Sequence, residues 1–208
     1  METYTFPQFP SPWSTVHLAL FDNLSNAPEI RRKLISAAQM DGPEGAAAKR
    51  EVEFGFIDAS MLVSRQHLIT ALQMTLLLAL PADLSGSSAV VPKTRSHNLH
   101  SEILLTLHTN NIISEAIKKF GISDSTRTLC VVRFGSSQQA DVWRDMEKVV
   151  QGQLVPLSKL DSDEYADWKS LDKLYKLSEL TRLPLTKEEI REKKIAAVVN
   201  TVAVKSVT

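Results

Sequence analysis

Only one cysteine occurs in this chain, Cys130, so an internal disulfide is excluded and a reducing compartment is favoured. Glycine is scarce, at seven residues. No Gly-rich phosphate loop followed by Lys-Ser/Thr is found, and no GxGxxG after a strand. The HExxH and paired CxxC arrangements of metal sites are missing as well. The charge is balanced, with 24 Lys and Arg against 24 Asp and Glu. Bulk electrostatics therefore draws the chain neither to nucleic acid nor to an anionic membrane, and any RNA contact has to come from a local basic patch. The longest apolar stretch, Met74 to Leu80, is far too short to span a bilayer, so no membrane partner is expected. Met1-Glu2-Thr3-Tyr4 lacks a basic segment followed by an apolar run, so no secretory signal is expected. The sequon Asn23-Leu24-Ser25 then reads as accidental.

What remains is ordinary globular material: 43% hydrophobic and 23% charged over 208 residues. That length favours one domain, 1–208, with a sizeable core. Phe6 to Trp13, rich in proline and aromatics, reads as an extended lead-in. Val16 to Phe21 reads as a strand. Asn26-Ala27-Pro28 opens a helix, because Asn is a good N-cap and Pro is tolerated in the first turn. Residues 41–50, small and glycine-bearing, read as a loop insertion, and 81–92 as a second one. Glu53 to Ile57 is a short strand. Ser64 caps a long helix running to about Leu80, with Leu68, Leu72 and Leu76 on one face. Asn98 to Leu107 is compatible with a buried helix or strand, and is read as helix. Ile112 to Phe120 is helical and stopped by Gly121. Thr128 to Phe134 is a strand. Gln138 to Gln151, Tyr165 to Leu177 and Lys187 to Val204 are further helices. The irregular mixture predicts an α+β fold, a small mixed or antiparallel sheet flanked by several helices.

Candidate chemistry is thin. Asp58 and Asp124 lie near element ends without an evident acid–base partner. Cys130, inside a predicted strand, reads as a buried small apolar side chain. His97, His100 and His108 lack a further ligand type at metal spacing, and read as surface or hydrogen-bonded histidines. No metal, cofactor or catalytic residue is predicted. Lys93-Thr94-Arg95-Ser96-His97 is the most informative polar stretch. In an extended run Lys93 and Arg95 share a side and could reach neighbouring phosphates; the alternative is a solvated face. Lys118, Lys119, Arg127 and Arg133 could extend such a patch. In the last helix Ile195, Val198, Val199 and Val202 form an apolar stripe, either packed on the protein's own core or offered to a partner.

Several stretches, in order, resemble one family. They are Pro7-Gln8-Phe9-Pro10, Leu18 to Phe21, Asn26 to Arg31, Phe54 to Asp58, Thr94 to Glu102, Asn111 to Ile122, Val149 to Gly152 and Lys173 to Ser178. Together they resemble the EKC/KEOPS subunit that binds the p53-related protein kinase, the TPRKB family, in its fungal branch. The two insertions and the stretch Asp161 to Trp168 depart from it. The resemblance implies a non-catalytic subunit that binds the complex's small atypical kinase directly and its other subunits indirectly. It also implies binding of tRNA, including the 3′ CCA end, in support of threonylcarbamoyladenosine formation beside the anticodon. A telomeric and transcriptional role, in nucleus and cytoplasm, is implied too. On this reading Lys93, Arg95 and Lys119 are expected to meet tRNA, and Ile195, Val198, Val199 and Val202 the kinase. The rival expectations are a kinase-regulating module without RNA contact, and an enzyme whose groups converge only on folding.

Overall fold

The computed structural model describes residues 1–81, 91–135 and 141–205. In chain order its elements are β1 (Glu2–Thr5), β2 (Thr15–Asp22), α1 (Ala27–Gln39), α2 (Gly42–Glu51), β3 (Gly55–Asp58), α3 (Arg65–Ala79), α4 (Leu99–Leu107), α5 (Ile113–Phe120), β4 (Leu129–Phe134), α6 (Val142–Val149), β5 (Gln153–Val155), α7 (Trp168–Leu174) and α8 (Lys187–Ala203). The class is α+β, as expected. The chain divides into two compact units, Met1–Asp58 with Gly121–Leu157 and Ala59–Phe120 with Ser158–Thr208.

The first unit holds the sheet, which is antiparallel in every pairing and ordered β1-β2-β4-β3. β2 is central. β4 pairs along one side of it, from Val16 opposite Phe134 to Phe21 opposite Leu129. On the other side β1 covers Thr15 to Leu18 and β5 covers Leu20 to Asp22. Ala19, Phe21, Phe56, Leu129 and Val131 cluster with Ile30 and Ala37 of α1 and Val142 and Met146 of α6. Leu18, Leu20, Cys130 and Val132, on the alternate positions, are buried as well. Both faces being dry, β2 and β4 are almost continuously apolar.

Two expectations need correction here. Residues 41–50 are not a loop: Gly42–Glu51 is a helix. Pro43 lies in its first turn with Glu44, and Lys49 and Arg50 lie in its last turn, so the ends carry charges that suit the helix dipole. Gly42 supplies a φ of +74°, and a Cβ at Gly45 would lie 2.4 Å from the Met40 carbonyl oxygen. The two glycines thus permit a tight α1–α2 hairpin rather than an open insertion. Phe6 to Trp13 is not extended either. Phe9 N–H donates to Phe6 O, Trp13 and Ser14 N–H donate to Pro10 O, and Phe6 N–H donates to Ser14 O. The segment has to turn because β1 returns antiparallel onto β2.

In the second unit α3 packs against both α4 and α8, and α4 against α5. Ser64 caps α3 as expected, accepting from His67 N–H at 3.1 Å. Asn98 caps α4 in a reciprocal box with Ser101, which settles that segment as helix. Thr75 Oγ1 and Thr106 Oγ1 join α3 to α4 at 2.9 Å in the dry interior. Just past α7 and its C-cap Tyr175, Lys176 takes the left-handed conformation with φ 55°. Leu177 N–H there donates back to Asp172 O at 2.9 Å, the six-to-one bond that closes a helix end.

Asp161 to Asp167 gathers the starts of three helices. Asp161 accepts from Arg65 N–H and Nε, Asp163 from Arg191 Nε and Trp168 Nε1, and Asp167 from Ser170 N–H. Residues 82–90, most of the second expected insertion, lie outside the described residues, as do 136–140 at the start of the helix expected over 138–151.

Candidate interaction surfaces

The basic segment is built on α4. Lys93 N–H donates to Ala79 O at the end of α3, and the Lys93 side chain is exposed. Arg95 is held by Glu102, which stands one turn into α4 and is only 3% exposed. Arg95 Nε donates to Glu102 Oε1 at 3.3 Å, while the Arg95 side chain as a whole stays 51% exposed. Lys119 is exposed near the end of α5.

Two residues link Arg95 to Lys119. Lys205, just past α8, is half-buried and donates through Nζ to the carbonyls of Leu105, His108 and Asn110, at and beyond the end of α4. A cation there complements the unpaired carbonyl end of the helix. Burial holds the Lys205 ammonium down to about 8, with a contribution from the nearby Arg95 charge and opposition from Glu102. His108 is pushed below its usual range by burial and by Lys205, with Lys119 adding to the effect. Arg95, Lys205, His108 and Lys119 thus form a run of electrostatic neighbours. A groove of about 320 Å³ lies beside it, lined by Thr106 to Thr109 and by Thr201, Val202, Val204 and Lys205. Sequence reading missed Lys205 and His108 as members of this run, since 97 positions separate them. Arg133, expected to extend the patch, is committed elsewhere. It binds Glu53 through its carbonyl and carboxylate and lies over the Phe54 ring.

The apolar stripe of α8 is divided. Val198 and Val202 are buried at 0% and 1%, so they belong to the core of their own unit. Ile195 and Val199 are half-buried and reach the surface. Beside them Leu185, Glu189, Glu192, Lys193 and Ala196 line a shallow open groove.

Five groups that titrate or react are tied up in structure. Asp58 accepts from Thr126 Oγ1 at 2.7 Å, and Asp124 pairs with Arg31 at 3.1 Å. Cys130 is fully buried, which pushes its thiol up to about 12. His67 is fully buried too, and burial lowers it to about 3. Its Nδ1 accepts from Val63 N–H, which leaves the proton on Nε2, 3.3 Å from Tyr175 Oη. The Tyr175 hydroxyl donates to Leu107 O at 2.6 Å, and burial raises its pKa. Among the described residues no group of three or more His, Cys, Asp or Glu is placed to hold a metal ion, and no helix is long and apolar enough to cross a membrane.

Residues 21–206 match the family described as kinase binding protein CGI-121. A protein of Cryptococcus neoformans var. neoformans serotype D, named EKC/KEOPS complex subunit CGI121, is 44% identical over the whole of both chains. Its namesake in Aspergillus fumigatus is 32% identical over 86% of this chain and 85% of its own. That of Candida albicans is 28% identical over 88% and 87%.

Proposed function

This chain belongs to the CGI-121 family of kinase-binding proteins, and on that premise we propose that it is a non-catalytic subunit of an EKC/KEOPS complex that docks the complex's small atypical kinase and helps recruit tRNA by its 3′ CCA end. The recruited tRNA is the substrate for threonylcarbamoyladenosine formation beside the anticodon. The observation that carries the reading is similarity, over the whole of this chain in one case and 86% of it in the other, to two fungal proteins bearing that subunit's name. The geometry supports it by what its reactive groups do. The candidate acids, the thiol and the buried histidine all serve packing or hydrogen bonding.

The two surfaces have different physics. Kinase docking falls to the outer side of α8, through Ile195 and Val199, because Val198 and Val202 are already used in the core. RNA contact falls to Lys93, Arg95 and Lys119. None of these three commits its terminal amino groups to a protein partner among the described residues. A single-stranded tail offers phosphates to such cations and bases for stacking.

The test uses the purified chain with the kinase and with intact or CCA-trimmed tRNA. Val199→Asp should release the kinase while leaving the fold intact. Neutralising Lys93 and Arg95 together should weaken binding of intact tRNA and flatten its log–log salt slope by about 1.4, for two phosphates on a single strand. Equal binding of intact and trimmed tRNA, with unchanged slope in the double variant, would leave a kinase-docking module without this RNA contact.

A further inference from the structure

We propose that Glu102 is the positioning residue of the RNA-binding segment: it presents Arg95 to phosphate by fixing the backbone from which that side chain springs. The proposal rests on the RNA-binding reading above and concerns how the same surface is made ready.

A buried carboxylate has to be satisfied by donors. Glu102, 3% exposed, has four, and all come from two residues of the segment ahead of α4. Arg95 N–H and Ser96 N–H donate to Oε2 at 3.0 and 2.9 Å. Ser96 Oγ donates to the same oxygen at 2.7 Å, and Arg95 Nε donates to Oε1 at 3.3 Å. The chain at 95–96 is therefore wrapped around a single carboxylate, and the Asn98–Ser101 box pins the next turn. Arg95 is clamped at its backbone and at Nε only. Its two Nη groups have no protein partner among the described residues, and those groups form the fork that takes phosphate bidentately. The Glu102 charge also favours the Lys205 ammonium, which the Arg95 charge opposes. The same carboxylate thus eases the repulsion between two neighbouring cations.

Charge and positioning predict opposite signs. By Coulomb's law a carboxylate near the site repels RNA, so removing its charge should tighten binding. If Glu102 works by holding Arg95, removing it should weaken binding, because Arg95 has then to be ordered at the moment of contact.

The experiment measures tRNA affinity of the full chain at several salt concentrations, with kinase binding and thermal melting as controls. Glu102→Gln is expected to lose about tenfold in affinity, the worth of one charge-assisted contact, while still binding kinase. The salt slope should fall by about 0.7, one phosphate. In an Arg95→Ala background, Glu102→Gln should cost nothing further, because the two act as one device. Affinity equal to or tighter than that of the unaltered chain overturns the proposal, and so does additivity with Arg95→Ala. If Glu102→Gln does not fold, Ser96→Ala takes its place, removing one donor while keeping the charge. Weaker tRNA binding by that variant supports the proposal and unchanged binding overturns it. Failure of the unaltered chain to bind tRNA overturns both this proposal and the reading beneath it.

Discussion

Replacing His67 by Gln is expected to flatten the acid side of the stability curve. His67 sits where the start of α3, the end of α4 and the end of α7 meet, taking Val63 N–H on Nδ1 and facing Tyr175 Oη with Nε2. It is buried, and its folded pKa is lowered from 6.5 to about 3. The unfolded chain therefore binds a proton between those values that the folded chain refuses. The full contribution is present above pH 6.5 and is lost progressively as pH falls towards 3. At about 1.4 kcal/mol per pH unit, descending from pH 7 to pH 4.5 removes roughly 2.5 kcal/mol on account of this one group. Exposed carboxylates titrate in the same window, so the readout is the difference between unaltered protein and His67→Gln, in which their effects cancel. Urea midpoints at half-unit pH steps supply it. At pH 7 the variant should be the weaker by about 1–3 kcal/mol, since the Val63 and Tyr175 partners lose their geometry. Towards pH 4.5 the gap should close. Two curves that stay parallel would show that His67 titrates alike in both states, and would refute the buried neutral junction.

Other substitutions discriminate between core and surface. Val198→Ala should cost about 2–3 kcal/mol in denaturant unfolding, methyl transfer plus cavity, whereas half-buried Val199→Ala should cost less than about 1 kcal/mol. Gly45→Ala should destabilise by about 1–3 kcal/mol despite alanine's better helix propensity, because the added carbon meets the Met40 carbonyl; circular-dichroism melting reads the sign. Cys130 should resist a thiol-alkylating reagent in native buffer and react once the chain is unfolded in urea, as mass spectrometry would register.

Elements that bury an apolar stripe, or that carry a cap, could be read from the residues. β2 and β4 announce themselves by continuous β-rich runs, and α3 and α4 by Ser64 and Asn98 standing just ahead of leucine-rich segments. α2 does not read as a helix from the residues because it buries only Gly45 and so has no apolar face to detect. Its signals were Pro43 and Glu44 at the start, Lys49 and Arg50 at the end, and three alanines between. Gly and Pro in the same stretch read as turn punctuation and mask those signals. β1 and β5 are short and partly polar, and only their partner on β2 defines them. At the candidate surfaces, Arg95 and Lys119 could be picked out as exposed cations. The role of Glu102 could not, because a carboxylate in the run Leu99 to Leu107 becomes a clamp only when the preceding backbone folds over it. The split of the α8 stripe into buried and outward residues likewise depends on where α3 lies, which helical spacing does not specify.

With β1 and β5 laid end to end along β2, and Gly55–Asp58 on the far side of β4, the outer strands among the described residues are no longer than four residues. Proteins that capture extended peptides do so by lending a long open sheet margin to an incoming strand, and the same margin invites runaway stacking of identical copies. Here there is almost none to lend. A molecule of this design meets its neighbours through side chains on helices and turns. That kind of contact selects partners by shape and charge, and margins this short guard the chain against zippering onto copies of itself.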